Sequence, residues 1–253
     1  MQYQVIIFDF DGTIADSFNH FCIILNRLSE EFSFRTVLPH EVDAFRRKSS
    51  REVIRDLRIP LFRLPRILAR ARKDFNEVMP EIQVVPGMKE VLFQLKRQNR
   101  TIGLLTSNAS ENVQCFLENN GLDIFDFLYA SSGLWGKARR LKKAIAGHRF
   151  DIDKVLYVGD ETRDIDVARR AGVKIASVAW GYNSLQTLRE FSPDYLVTEP
   201  HELLSICAED NYHTGRDRYG RKFRSDPVQI FYILPVMREE ENGCRKKFCK
   251  SSP

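Results

Sequence analysis

The sequence predicts an α/β protein that combines a doubly wound parallel sheet with a small α-helical domain. Short apolar segments typical of buried strands alternate with segments of helical periodicity over most of the chain. Only helices are predicted between residues 15 and 81, directly after the first strand. Strands that alternate with helices are joined by right-handed crossovers and run parallel. We therefore expect their carboxyl ends, where open α/β sheets bind ligands, to meet at one edge.

The first predicted strand begins at Val5 and ends in two carboxylates, Asp9 and Asp11, before a turn at Gly12. Residues two apart in a strand point the same way, so acids at this spacing repel each other or share a cation. A simpler interpretation is that they only end the strand and cap the next helix, because Asp and Gly are common turn residues. An uncompensated buried charge costs about 3–5 kcal/mol. We therefore expect a partner charge, most simply a cation.

The all-helical segment of residues 15–81 is predicted to form a small cap domain. Apolar side chains recur every three or four residues in its helical stretches, which prolines separate. The predicted helices are 15–32, 41–57 and 65–78, and the separating prolines are Pro39, Pro60 and Pro65. Within the cap, Arg46–Lys73 has eleven Lys or Arg but only two acidic residues, Glu52 and Asp56. This basic segment either forms a solvated helix surface or steers anions towards a site.

The core is assigned to residues 1–14 and 82–205, where strands and helices alternate. After the first strand, the predicted strands are 101–106, 126–130, 155–158, 174–178 and 195–197. The predicted helices are 88–97, 110–120, 137–146 and 165–171. Gly121 and Gly172 stand directly after two of these helices, where a left-handed C-cap is expected.

Polar side chains follow three of the predicted core strands. They are Asp9 and Asp11, Thr106 with Ser107 and Asn108, and Asp160 with Asp164. Several carboxylates without histidine or cysteine favour a hard cation bound by oxygen, and Mg²⁺ suits carboxylates combined with phosphate and water. The Thr106 hydroxyl and nearby backbone N–H groups can hold phosphoryl oxygens, and a lysine can neutralise charge as phosphorus is attacked. The pattern therefore predicts phosphate chemistry at this edge.

Four features in this order resemble the haloacid dehalogenase superfamily of phosphohydrolases: D-x-D-G-T at Asp9–Thr13, a strand ending at Thr106, a later lysine, and G-D-x-x-x-D at Gly159–Asp164. The phosphoglycolate phosphatase-like branch is most similar, because it has an α-helical cap between the first and second motifs. The resemblance spans residues 2–200. It implies a Rossmann-like core and a Mg²⁺-dependent phosphatase acting on a small phosphorylated metabolite. A sugar phosphomutase of the same superfamily and a non-catalytic binding protein of this fold are the alternatives.

The resemblance also implies roles for individual residues. Asp9 would attack phosphorus and become an aspartyl-phosphate, and Asp11 would act as acid and then as base. Mg²⁺ would be held by Asp9, the backbone carbonyl of Asp11, and Asp160. Asp164 would bind the metal directly or through another ligand, unless it is purely structural. The substrate phosphate would be bound by Thr106, Ser107, Asn108 and a lysine, and the loop Trp180–Tyr182 would line the pocket.

Three lysines, Lys137, Lys142 and Lys143, lie where the resemblance expects the site lysine. Lys137 is preferred because it follows Gly136 at a predicted helix start, next to the sheet edge. Lys142 and Lys143 lie deeper in the helix. The alternative for all three is a solvated helix surface.

Composition excludes several other classes of protein. The net charge is +5, but ten Lys or Arg against six acidic residues fall between Asp210 and the end, so the remainder is nearly neutral and no nucleic-acid binder is indicated. Five scattered cysteines without a C-x-x-C pair argue against disulfides or zinc. No apolar run reaches about 18 residues, and no signal peptide is recognised, so we expect a cytoplasmic protein without a membrane partner. Residues 206–253 are predicted to be a basic, largely disordered tail, and the sequence leaves monomer and dimer open.

Overall fold

The structure is a computed structural model that describes residues 3–130 and 136–208. Its centre is a six-stranded sheet in the order β3-β2-β1-β4-β5-β6. The strands are β1 (Val5–Phe8), β2 (Thr101–Thr106), β3 (Phe127–Ala130), β4 (Val155–Gly159), β5 (Lys174–Val178) and β6 (Tyr195–Val197). Every neighbouring pair is parallel. The predicted doubly wound α/β sheet is confirmed.

Helices cover both faces of the sheet and form the segment between β1 and β2. They are α1 (Phe18–Phe32), α2 (Val42–Arg46), α3 (Ser50–Asp56), α4 (Leu64–Val78), α5 (Met88–Arg97), α6 (Ser110–Asn119), α7 (Lys137–Gly147), α8 (Thr162–Ala171), α9 (Leu185–Glu190) and α10 (Glu202–Ala208). In β1, Ile6 and Phe8 pack into one buried cluster, and Val5 and Ile7 pack into the other. Burial on both faces explains why β1 is apolar at every position. Among the described helices, none is long and apolar enough to cross a membrane.

The helices α1 to α4 share an apolar cluster that is separate from the two clusters on the sheet. The predicted single helix 41–57 is wrong, because α2 ends at Arg46 and α3 begins at Ser50. Ser49 caps α3: its hydroxyl accepts from the Glu52 backbone N–H, and the Glu52 carboxylate accepts from the Ser49 backbone N–H. This capping box stabilises a helix start where the periodicity suggested an uninterrupted helix.

The first cap helix begins at Phe18, three residues later than predicted. Ala15 instead forms isolated β-bridges with Asp11 and with Val84. The Val85 N–H donates to Ile14 O at 2.8 Å. The chain leaving the core and the chain returning to it therefore run side by side and are hydrogen bonded to each other.

Two short helices, α9 and α10, were not expected from the periodicity. Helix α10 continues to Ala208, because Leu203 and Cys207 are buried and Arg100 Nη2 donates to Cys207 O at 3.2 Å. Helix α10 therefore runs past residue 205, where the core was predicted to end. The rest of the predicted tail, 209–253, lies outside the described residues.

We expect alanine at two glycines to change stability in opposite directions. A Cβ at Gly103 of β2 would collide with the Phe127 ring, whereas a Cβ at Gly147 of α7 would meet only Tyr129 Oη at 3.9 Å. Gly103→Ala should therefore lower the free energy of unfolding by about 1–3 kcal/mol. Gly147→Ala should raise it by about 0.5–1 kcal/mol, because alanine loses less backbone entropy in a helix. Urea unfolding checks both, and equal effects would contradict the packing shown here.

Candidate active site

The carboxyl ends of β1, β2 and β4 are adjacent in the sheet and bring the predicted polar residues together. Carboxylate oxygens of Asp9, Asp160 and Asp164 all lie within 4.8 Å of one another. All three side chains are buried. Asp9 directly follows β1, and Asp160 directly follows β4, so strand pairing determines their positions. Asp164 reaches the same point from the first turn of α8.

Lys137, the first residue of α7, joins two of these carboxylates. Its Nζ lies 2.5 Å from Asp9 Oδ2 and 2.8 Å from Asp164 Oδ1. Tyr157 Oη donates to the same Asp164 oxygen at 3.1 Å. Lys142 and Lys143, on the same helix, are exposed to solvent. Of the three candidate lysines, the helix therefore directs Lys137 into the carboxylate cluster.

Asp160 is held by the loop after β1 and by the loop after β5. It accepts hydrogen bonds from Thr13 Oγ1 at 2.8 Å and from the Tyr182 backbone N–H at 2.7 Å. Both loops approach it so closely that a Cβ at Gly12 or Gly181 would collide with its carboxylate. Gly12 also has a φ of +75°, which other residues rarely adopt. The Asp160 side chain is thus fixed in orientation by neighbouring backbone.

Buried negative charge at this cluster exceeds the positive charge that faces it. Burial raises the pKa of Asp9 to about 7, although Lys137 opposes this shift. Burial, together with Glu161, raises the pKa of Asp160 well above its usual range. Burial acts in the same direction on Asp164, but Lys137, Arg163 and the Glu161 backbone N–H together outweigh it, so the pKa of Asp164 is lowered. An all-oxygen set of buried carboxylates with one ammonium group fits a divalent hard cation such as Mg²⁺.

Asp11 lies beside this cluster and is partly exposed. Its Oδ2 is 3.5 Å from Asn108 Nδ2, at the end of β2. Burial raises the pKa of Asp11 to about 6, while the hydrogen bond from Asn108 lowers it. A carboxyl group whose pKa is near neutral can both donate and accept a proton. The two acids that follow β1 therefore occupy different environments.

The residues after β2 form a hydrogen-bonded turn. Thr106 is buried, and its Oγ1 accepts from the Asn108 backbone N–H at 2.9 Å. Asn108 Oδ1 accepts from the Ala109 N–H at 2.9 Å and from Asn112 Nδ2 at 3.0 Å. Ser107 is partly exposed at the same edge. The turn thus presents hydroxyl and amide groups next to Asp11.

The segment 179–184, which follows β5, connects the cap to the core site. Asn183 accepts from the Thr162 N–H at 2.9 Å and donates to two cap carbonyls, Arg46 O at 3.1 Å and Lys48 O at 3.0 Å. The Ser184 N–H donates to Arg46 O at 2.8 Å. The carbonyls of Arg46 and Lys48, at and just after the end of α2, thus accept hydrogen bonds from the core. These bonds give a second reason for the break between α2 and α3.

Aromatic contacts also join the segment 179–184 to the cap. The Tyr182 ring packs edge-on against Phe18 and Phe21 of α1, at centroid distances of 5.3 and 5.2 Å. Arg46 lies over the Phe18 ring at 5.1 Å and donates through Nη2 to Gly181 O at 2.5 Å. Arg46 belongs to the predicted basic segment, and its side chain thus contacts a ring of α1 and a backbone carbonyl of the core. The steering role of that segment stays a prediction.

We expect Asn183→Asp to loosen the cap without removing the contact to Thr162. Aspartate still accepts from the Thr162 N–H, but it cannot donate to Arg46 O and Lys48 O and repels both. Limited proteolysis should therefore cut the cap about tenfold faster than in the wild type, as expected when about 1.4 kcal/mol of docking is lost. Ser192→Asp, an exposed exchange after α9, serves as the control. Equal cleavage rates in all three proteins would contradict the docking role.

Sequence reasoning did not identify five residues that contact the predicted site residues or join the cap to the core. They are Thr13, Asn76, Asn112, Tyr157 and Asn183. Thr13 lay within the D-x-D-G-T motif, and Asn183 directly follows the singled-out Trp180–Tyr182, so proximity to a motif was their only signal. The contact of Tyr157 with the site could not be predicted, because its ring fits the apolar pattern of β4. Only its hydroxyl reaches Asp164.

The chain is similar in sequence and in fold to known proteins. Residues 6–178 match the family model described as haloacid dehalogenase-like hydrolase. The chain is 34% identical over 207 residues to a phosphoglycolate phosphatase from Synechococcus elongatus, covering 81% of this chain and 98% of that one. It is 26% identical to the pyrophosphatase PpaX of Oceanobacillus iheyensis, covering 83% and 99%. A haloacid dehalogenase-like family hydrolase from Streptococcus pneumoniae shares the fold with a TM-score of 0.70 at 21% identity, covering 81% and 98%. The chain therefore belongs to the haloacid dehalogenase-like hydrolase family and is a phosphatase.

Proposed function

We propose that this phosphatase hydrolyses a small phosphorylated metabolite of the phosphoglycolate type, with Mg²⁺, through an aspartyl-phosphate on Asp9. The observation that carries the proposal is the position of Lys137, whose Nζ contacts both Asp9 and Asp164 beside Asp160. A nucleophilic carboxylate, a lysine and further acids at one buried point suit phosphoryl transfer, in which positioning and charge stabilisation dominate. The relative from S. elongatus, a phosphoglycolate phosphatase, supports the substrate class.

Mg²⁺ would be held by Asp9, Asp160, Asp164 and the backbone carbonyl of Asp11. Its chemistry there would be to neutralise phosphoryl oxygens and so ease the approach of an anionic nucleophile. The hydrogen bonds from Thr13 and the Tyr182 N–H to Asp160 orient one of these ligands.

Asp9 is oriented for attack by two donors. The Phe10 N–H donates to Oδ1 at 2.7 Å, and Lys137 contacts Oδ2. In the first step a carboxylate oxygen of Asp9 forms a bond to phosphorus while the bond from phosphorus to the ester oxygen breaks. Asp11 gives a proton to that departing oxygen, so the alcohol leaves neutral. Thr106, Ser107, Asn108 and Lys137 bind the transferred phosphoryl group.

The second step returns the enzyme to its starting state. Asp11, now a carboxylate, takes a proton from a water molecule that attacks phosphorus. The bond from phosphorus to Asp9 breaks, and inorganic phosphate leaves. A carboxyl group with a pKa near 6 serves both steps, because neither of its protonation states is strongly disfavoured near neutral pH.

A screen of phosphorylated metabolites for phosphate release, with Mg²⁺ or with EDTA, tests the proposal. The panel includes 2-phosphoglycolate, sugar phosphates and pyrophosphate, since one relative is a pyrophosphatase. Wild type should release phosphate from at least one small monoester only with Mg²⁺, and Asp9→Asn should release none. Isomerisation of a sugar phosphate with little phosphate release would indicate the phosphomutase alternative. Absence of turnover on the whole panel would favour the non-catalytic alternative.

A further inference from the structure

A chain of three asparagine side chains links the cap to Asp11. Asn108 Nδ2 lies 3.5 Å from Asp11 Oδ2, and Asn112 Nδ2 lies 3.0 Å from Asn108 Oδ1. The same Asn112 amide nitrogen donates to Oδ1 of Asn76, on the cap helix α4. We call Asn76, Asn112 and Asn108 the amide relay. Its middle member, Asn112, is buried in the first turn of α6.

The hydrogen bonds of the amide relay determine which way the Asn108 amide points. A side-chain amide has its oxygen on one side and its two N–H donors on the other. Asn108 Oδ1 accepts from two donors, the Ala109 N–H and Asn112 Nδ2. Rotating this amide by half a turn would set its NH₂ group against both donors and its oxygen against the Asp11 carboxylate. Ala109 and Asn112 together therefore keep the N–H groups facing Asp11.

We propose that Asn112 is a positioning residue for the phosphatase reaction, which holds the Asn108 amide so that it donates to Asp11. The inference rests on the proposed function, in which Asp11 moves the proton in both steps. Asn76 connects the cap to these hydrogen bonds, because its Oδ1 accepts the other N–H of Asn112. The proton-transferring acid thus sits in its full hydrogen-bonded environment only when helix α4 of the cap lies against α6.

Asn112→Asp tests this role, because it keeps the size of the side chain and removes its donors. An acceptor at this position opposes Asn108 Oδ1 and favours the rotated amide. We expect kcat to fall by ~10–100-fold, the usual effect of removing a partner that orients a reacting group. KM should rise by a smaller factor than kcat falls, because Asn108 also binds the phosphoryl group but its lost hydrogen bond to Asp11 serves the chemical step. The smaller variant Asn112→Ala should lose less kcat, since the Ala109 N–H still orients the Asn108 amide.

Unfolding temperatures are measured so that kcat is compared only between folded variants. Asn112 is buried and an aspartate there loses both donors, so Asn112→Asp should unfold below the wild-type temperature, although the helix dipole at the first turn of α6 offsets part of the cost. Asn119→Asp makes the same exchange at the exposed end of the same helix and should leave kcat unchanged. In addition, the losses in Asn76→Ala and Asn112→Ala should combine less than additively, as expected for members of one network.

Each outcome decides the inference. A larger loss of kcat in Asn112→Asp than in Asn112→Ala, measured at a temperature where both variants are folded, supports it. Wild-type kcat in Asn112→Asp, or a loss no larger than that in Asn112→Ala, would show that Asn112 only packs. These results overturn the positioning role and leave the proposed function intact. A wild type that releases no phosphate from the substrate panel overturns both.

Discussion

Replacing Lys137 with methionine is expected to reduce phosphate release by about 10²–10³-fold, the usual loss when one group that stabilises transition-state charge is removed. The same change leaves Asp9 and Asp164 buried without the ammonium group that contacts both. We therefore also expect the free energy of unfolding in EDTA to fall by about 3–5 kcal/mol. Mg²⁺ should recover part of this loss, because it supplies positive charge to the same carboxylates. Phosphate-release assays and urea unfolding, each with Mg²⁺ and with EDTA, check both effects.

The control for Lys137 lies on the same helix. Lys142→Met and Lys143→Met remove the same charge from exposed positions of α7. Both variants should keep wild-type kcat and stay within about 0.5 kcal/mol of wild-type stability. If either exposed variant lost activity while Lys137→Met kept it, the assignment of the site lysine would be wrong.

Asp160→Asn is expected to abolish activity and at the same time to stabilise the protein in EDTA. Burial makes the charged form of Asp160 costly, as its raised pKa shows. Asparagine can accept from the Tyr182 N–H and donate to Thr13 Oγ1, so it fits the site without the charge. We expect a gain of ~0.5–2 kcal/mol, typical when a strained functional residue is neutralised. Mg²⁺ should raise the unfolding temperature of the wild type and have no such effect on the variant.

The pH dependence of this gain has a definite sign. An acid whose pKa is raised on folding binds its proton more tightly in the folded state than in the unfolded state. In EDTA the wild type should therefore lose stability as the pH rises above the ordinary pKa of aspartate, about 4. The advantage of Asp160→Asn should shrink as the pH falls towards that value. A constant difference between pH 4 and pH 8, or a wild type that is more stable than the variant in EDTA, would contradict this account.

Much of the core was predictable from local sequence, because parallel strands buried on both faces are continuous apolar runs. The strands β1, β2 and β4 were expected within a residue of their observed ends. The break between α2 and α3 was not, since it depends partly on Asn183, which lies 137 residues further along the chain than Arg46. Helix α9 spans only six residues and is capped by Ser184, so it offers too few residues for a helical period.

The candidate site likewise has a part that the sequence predicts and a part that it does not. The acids Asp9 and Asp160 stand next to recognisable strands, so the topology alone was enough to bring them together. The contacts from Thr13 and from the Tyr182 N–H depend on loop conformations that glycines at 12 and 181 permit. Loop geometry of this kind has no periodic signature in sequence. The amide relay is similar, because it depends on how the cap rests against α6.

The central place of β1 also affects how the chain can fold. Val5 pairs with Thr101 of β2 and with Val155 of β4, so the first strand to be synthesised meets its neighbours only much later. At ribosomal rates this delay is roughly 5–30 s. During that time the contiguous helices α1 to α4 can pack through local contacts, which form fastest. We expect Asp9, the proposed nucleophile, to reach its place only when β4 arrives, so chains truncated before Val155 should lack both the ordered sheet and phosphatase activity.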